Sequence, residues 1–236
     1  MTEWWTYRLS DFLMFSARTY RRLFELYNAD FWPLPVLVCI GAALWIGIAW
    51  RHRRVSAQPA RVGLAVLAAA WLWVAWAFHF ERYAMVNTAA PWFAAAFVLE
   101  ALLLVAVAWA GLHGRTSLAC GGRLGVGFGL LALAILGYPG LGVWLGRPLA
   151  QAEVFGIAPD PTAVGTLGML LLTVSGRLSP ARRRFIAAAW PIPLLWCGIS
   201  GATLWTMDAP EAALLPALAG IAAAVAIGTR RSNDAA

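Results

Sequence analysis

Few residues in this chain have the type and placement to do chemistry, and Glu100 comes first among them. It is the only charge in the apolar run from Pro91 to Leu112. A carboxyl group at mid-membrane depth costs several kcal/mol, so it normally faces a protein interior or a wet cavity. Two roles fit it. One is a protonatable coupling or binding site. The other is a structural acid held by hydrogen bonds between helices. No Arg falls in the middle of another run, so its expected partners are neutral donors: Tyr138, Thr166, Thr173, Ser200 and Thr203. His79 and Glu81 make the next candidate, beside Arg82 at the end of a second run. The pair could serve a proton path or a metal, or be an interfacial hydrogen-bonded pair. Tyr138 lies in Gly137-Tyr138-Pro139-Gly140, where Pro139 removes a backbone donor and should kink or break a helix.

Other chemistries lack their parts. There are no serine-nucleophile, Walker, Rossmann or zinc-protease patterns. All 18 basic residues are Arg, so no Lys is present to form a Schiff base. Cys39, Cys120 and Cys197 have no metal-binding spacing and read as packing residues. His52 sits among loop arginines. His113 ends the third run at the depth opposite His79, so the two cannot clamp one haem. The expectation is therefore a protein that is not an enzyme, with no cofactor, no metal and no nucleic-acid partner.

The elements that must position these residues are apolar helices. The 236 residues are 61% hydrophobic and 12% charged, against about 25% charged in ordinary soluble domains. Mean hydropathy is +0.71. Seven apolar runs follow one another: 33–50, 62–80, 92–112, 124–145, 162–175, 185–206 and 212–228. About 20 apolar residues are needed to cross a bilayer. The fifth run is short; it can recruit residues 157–160 or be re-entrant. Residues 1–32 are amphipathic. Tyr20, Leu23, Phe24, Tyr27 and Phe31 form one face, Arg18, Arg21, Arg22 and Glu25 the other, and Ser16 is the N-cap. Trp4, Trp5, Tyr7, Phe12 and Phe15 precede the stripe. Such a segment lies in the headgroup layer or packs on the bundle end. The division expected is 1–32 interfacial segment, 33–229 seven-span bundle and 230–236 cytoplasmic tail.

Arg placement orients the bundle. Twelve Arg fall after runs one, three and five and in the tail; six fall on the other side. By the positive-inside rule the N-terminus is outside and the C-terminus cytoplasmic. Gly121, Gly125 and Gly129, with Gly142 and Gly146, put small residues four apart in the fourth run. That spacing permits close helix approach, so the fourth run is expected to be central, near the Glu100 helix. Trp32-Pro33-Leu34-Pro35 with Cys39 is echoed by Trp190-Pro191-Ile192-Pro193 with Cys197. The echo is either an inverted repeat or coincidence.

The opening Glu3-Trp4-Trp5-Thr6-Tyr7-Arg8-Leu9-Ser10-Asp11-Phe12, then Arg18-Thr19-Tyr20, Leu23-Phe24-Glu25-Leu26-Tyr27-Asn28 and Trp32-Pro33, resembles an uncharacterised family of bacterial polytopic membrane proteins. Trp190-Pro191-Ile192-Pro193-Leu194-Leu195-Trp196 fits it too. Some members are labelled transporter permease, and the family supplies no catalytic residues. The resemblance implies an all-α integral protein of the bacterial inner membrane. The function expected is a permease-like transporter of an unknown small solute with Glu100 at its site. The alternative is a non-enzymatic scaffold, sensor or assembly subunit. Its partners would be the lipid bilayer and either that solute or a membrane protein.

Overall fold

A computed structural model describes residues 15–52, 57–110, 122–173 and 180–234. Trp4, Trp5, Tyr7, Phe12, Arg53, Arg54, His113, Arg115, Cys120, Gly121 and Arg177 lie outside them. The fold is all-helical over the described residues. Helix α1 spans Ala17–Asp30, α2 Leu34–His52 and α3 Ala57–Trp73, which continues through a widened π turn, Val74–Phe80. Helix α4 is Ala90–Trp109. Helix α5, Gly122–Ala132, runs through a second π turn, Leu133–Gly137, into α6, Tyr138–Trp144. Then come α7 (Pro159–Thr173), α8 (Pro180–Ala188), α9 (Pro191–Thr206) and α10 (Leu214–Asp234). Among the described residues, five stretches are long and apolar enough to cross a membrane: Leu34–Arg51, Ala60–Met85, Ala90–Trp109, Gly122–Trp144 and Pro180–Thr206.

The amphipathic pattern sets α1. Ser16 caps it by accepting from the Thr19 amide at 3.2 Å, as Ser does at an orphan helix start. Tyr20, Phe24 and Tyr27 are buried, and their rings stack on Phe78 and Tyr83 beyond α3. The apolar face of α1 is thus covered by the bundle end and not by a headgroup layer.

The centre of the bundle is α7, all of whose residues are buried. This corrects the expectation that the fourth run is central. The glycine register is corrected with it. Gly125 and Gly129 face open space. The close approach is made instead by Gly127 of α5 against Gly168 of α7. A Cβ on Gly168 would stand 2.7 Å from the Gly127 carbonyl oxygen. Period four is compatible with several helix faces, and the fully buried partner decides which one is used. Pro139 does not break the fourth run. Its ring cannot tolerate the carbonyl four residues back in an α-helix, and the widened Leu133–Gly137 turn ends just before it.

Between α6 and α7 the chain turns into the bundle. Residues 154–159 are buried although they are not helical before Pro159. Gly156, at φ +80°, makes the turn. The Thr162 hydroxyl accepts from the Gly156 amide at 2.9 Å and donates to the Ala158 carbonyl at 2.6 Å. This re-entrant segment is tied to α1. The Tyr27 hydroxyl donates to the Ile157 carbonyl, and Asn28 Nδ2 donates to the carbonyls of Ala150 and Ala152.

Candidate functional site

The polar residues converge on Asp160, in the first turn of α7. Asp160 has no solvent exposure. Trp196 Nε1 donates to its Oδ1 at 2.8 Å and the Ser200 hydroxyl to its Oδ2 at 2.8 Å. The Glu153 carboxyl and the Tyr138 hydroxyl lie close enough to act on it electrostatically. Two donors from α9, with neighbours from α6 and the re-entrant segment, therefore surround one carboxylate. The same segment that turns at Gly156 delivers Glu153.

Next to this group, Arg147 Nη2 pairs with Glu211 Oε1 at 2.8 Å, and both side chains are mostly buried. Between the two lies a cavity of about 10 Å³, lined by Tyr138, Arg147, Gln151, Glu153 and Glu211 among others. That is about the room of one water. Glu153 Oε2, Glu211 Oε2 and Arg147 Nε are buried without a protein hydrogen bond. Toward α1, Gln151 Nε2 donates to Glu25 Oε2 at 3.2 Å.

Three carboxyls share this site with one guanidinium. Ionising all three in a water-poor interior would leave uncompensated charge, at a cost of several kcal/mol per ion. A retained proton relieves this. Burial, and then the nearby Asp160 carboxylate, push Glu153 well above the usual carboxyl range. Burial thus favours the neutral form of Glu153, beside an Asp160 that accepts from Trp196 and Ser200. Over the site hangs Tyr20 of α1. Burial first, and then the Asp160 and Glu153 charges, hold its phenol neutral by raising it well above its ordinary value.

Of the residues singled out in the sequence, Tyr138 enters this site. Glu100 does not hydrogen-bond to it. Glu100 is fully buried on the α4 face that also carries Phe97 and Leu104, so it points inward and not to lipid. Yet neither carboxyl oxygen has a hydrogen-bond partner. The donors expected for it are committed elsewhere. Ser200 serves Asp160, and Tyr138 lines the cavity beside Glu153 and Arg147. Thr166 accepts from Trp71 Nε1 and donates to the Thr162 carbonyl. Thr173 and Thr203 bond back to their own helices at Leu170 and Ile199.

His79 and Glu81 are not brought together. His79 is fully buried and Glu81 is exposed. The π turn at the end of α3 adds a residue to the helical period, and His79 lies within it. The imidazole packs against Phe97 at 4.4 Å and Trp196 at 4.9 Å between ring centroids, with Phe78, Phe93 and Tyr83 around it. Neither ring nitrogen has a partner. Trp196 thus touches the Asp160 group with its nitrogen and the His79 group with its ring face. Glu100 lies one turn beyond Phe97 on the same face of α4. Both π turns border this region: one carries His79, and the other leads into Tyr138.

Asp160, Glu153, Arg147, Glu211 and Trp196 were missed in the sequence as site residues. Asp160 fell there only within the residues 157–160 that the fifth run could recruit, and Glu153 was not singled out. The one available signal was the fifth run, too short to cross alone and preceded by an acid. The two Trp-Pro-x-Pro segments sit in unlike surroundings, Trp32 exposed and Trp190 buried. Among the described residues, no group of three or more His, Cys, Asp and Glu is placed to hold a metal ion.

No curated protein and no solved structure matches this chain. A family model matches residues 17–236, most of the chain including everything from α1 onward. With its uncharacterised kin already suggested by the N-terminal and Trp190 stretches, the chain belongs to DUF6064, a family of unknown function.

Proposed function

We propose that this chain is a multi-pass protein of the cell inner membrane, a permease-like carrier that couples movement of a small solute to a proton. The observation behind this reading is the fully buried Asp160 at the start of α7 with the half-buried Glu153 of the re-entrant segment near it, and a water-sized cavity lined by Glu153. Ionisable side chains inside membrane bundles commonly mark substrate or proton pathways. Short or interrupted helices are where carriers place such sites. The coupling role expected of Glu100 thus passes to the Glu153–Asp160 pair. Glu100 and His79, buried behind Trp196, form its inward continuation.

Seven crossings follow if α7 and the apolar part of α10 join the five long stretches. Helix α7 has 15 residues, about 22 Å at 1.5 Å per residue, short of the roughly 30 Å of hydrocarbon. The re-entrant segment makes up the remaining depth. The Arg asymmetry puts the α1 end of the bundle outside, so the acid pair faces the periplasm.

Proton flux into vesicles tests this reading. The purified protein is reconstituted with an internal pH dye, and an inward proton gradient is applied with a panel of small solutes. A solute-dependent proton flux that Glu153→Gln or Asp160→Asn abolishes is the expected result. Flux unchanged in both variants would move the site elsewhere. Absence of flux with every solute would favour the scaffold reading.

A further inference from the structure

A second cavity, of about 500 Å³, lies between α2 and the bundle. Its wall is apolar throughout, formed by residues such as Val38, Ala42, Ala70, Leu131 and Ile135. The one polar atom its tryptophans could offer near the α1 end, Trp73 Nε1, is already bonded to the Tyr27 hydroxyl at 2.7 Å. A polar solute has nothing to hold there. Only 11% of the α2 stretch Leu34–Arg51 is buried. This helix stands at the edge of the bundle, so the chamber opens sideways into hydrocarbon.

Its length and mouth narrow the occupant. The lining runs from Leu34 down to Trp45, eleven steps along α2, or roughly 16 Å at about 1.5 Å per step. One leaflet is about half of the 30 Å hydrocarbon core. At the deep end Trp45 and Met169 close on Gly63. At the shallow end Trp73 packs against Phe31 at 5.0 Å, and the Arg82 guanidinium lies 4.8 Å above the Phe31 ring. Arg82 Nη1 donates to the Ala77 carbonyl at 2.7 Å, which holds the guanidinium in place, and Nη2 pairs with Asp30 at 2.9 Å. The Arg82 side chain is 19% exposed and that of Asp30 59%, so Asp30 is the half of the pair that can turn to solvent and yield its place to a phosphate.

We propose that the α2 chamber holds one acyl chain of an anionic phospholipid drawn from the surrounding bilayer, with its phosphate at Arg82. The chamber is apolar, one leaflet deep and open to lipid, and a cation stands at its mouth. The assignment goes beyond the proton reading and does not depend on it.

Native mass spectrometry tests it. The full chain is reconstituted in vesicles of equal phosphatidylglycerol and phosphatidylcholine, then released into mild detergent. One bound phosphatidylglycerol per chain is expected. Ala42→Trp and Ala70→Phe each fill the chamber and should abolish retention. Arg82→Gln, at the rim, should leave a lipid bound but cut the preference for phosphatidylglycerol roughly fivefold, the loss of one Arg–anion attraction near the surface. Gel filtration identifies any filling variant that does not fold; the other filling variant and Arg82→Gln then carry the test. Equal retention of both lipids by the natural chain overturns the proposal. So does retention that survives a folded filling variant, or a preference that Arg82→Gln leaves unchanged.

Discussion

Asp160 and Glu100 are both carboxyls without solvent exposure, and their surroundings are opposite. Asp160 receives two donors from α9, Trp196 and Ser200. Glu100 receives none. A buried polar group without partners costs free energy, while a fully bonded one roughly breaks even or gains. The contrast teaches that depth in an apolar run measures the cost of an acid, and convergence of donors measures what has been built around it.

That contrast can be broken by substitution. Asp160→Ala should be the most damaging change, roughly 3–5 kcal/mol, because the Trp196 and Ser200 donors each lose a buried acceptor at about 1–3 kcal/mol. Thermal unfolding in detergent measures it. A loss below about 1 kcal/mol would mean the donors find water instead. Arg147→Met comes next, at about 3 kcal/mol, since it strands the Glu211 carboxylate. Adding Glu211→Leu should return a good part of that loss, because removing both members of a buried pair is often close to neutral. If the double variant is as unstable as the sum of the singles, the pair is not coupled.

Gly168→Ala should cost about 1–3 kcal/mol by forcing α5 and α7 apart at Gly127, whereas Gly125→Ala should lie within about 0.5 kcal/mol of neutral. Glu100→Leu sharpens the comparison by its sign. With no donor to strand, it should stabilise by about 1 kcal/mol. A destabilised Glu100→Leu would show that the acid has a partner after all.

The finest distinction is in pH. Glu153 sits well above its ordinary value near 4.5, through burial first and Asp160 second. The folded chain therefore keeps a proton that the unfolded chain gives up above that value. Stability should fall as pH rises from there through the folded-state titration. Arg147 and Glu211 face the same cavity and stay in place when Glu153 is changed. Glu153→Gln keeps the shape and a donor but cannot titrate, so it should flatten this slope. An unaltered slope would remove Glu153 from the account.

The parts legible in the sequence are those fixed by neighbours along the chain. Ser16 and the Tyr20, Phe24, Tyr27 stripe define α1 within about a dozen residues. The apolar runs map onto helices because hydropathy is a local sum. The site was not legible, because Tyr138, Glu153, Asp160, Trp196 and Ser200 meet only through packing. Asp160 and its partners Trp196 and Ser200 are 36 and 40 residues apart. Flanked by Pro159 and Pro161, Asp160 reads as a loop acid until Gly156 turns the chain inward. His79 was placed beside Glu81 by sequence adjacency, but residues two apart along a helix do not face each other. The glycine spacing was visible, but the contact face was set by α7.

The bonds between α1 and the re-entrant segment also bear on how the molecule is made. Tyr27 and Asn28 hold Ile157, Ala150 and Ala152, which follow them by 122 to 130 residues. Contacts of such separation form late, because the loop between them must first be closed. During synthesis the stripe of Tyr20, Phe24 and Tyr27 gains its ring partners Phe78 and Tyr83 once α3 is complete. The polar ends of Tyr27 and Asn28 must wait until residues 150–157 have followed α6. The docking of α1 is thus made in two stages, and the second seals the end of the bundle that holds the acid pair.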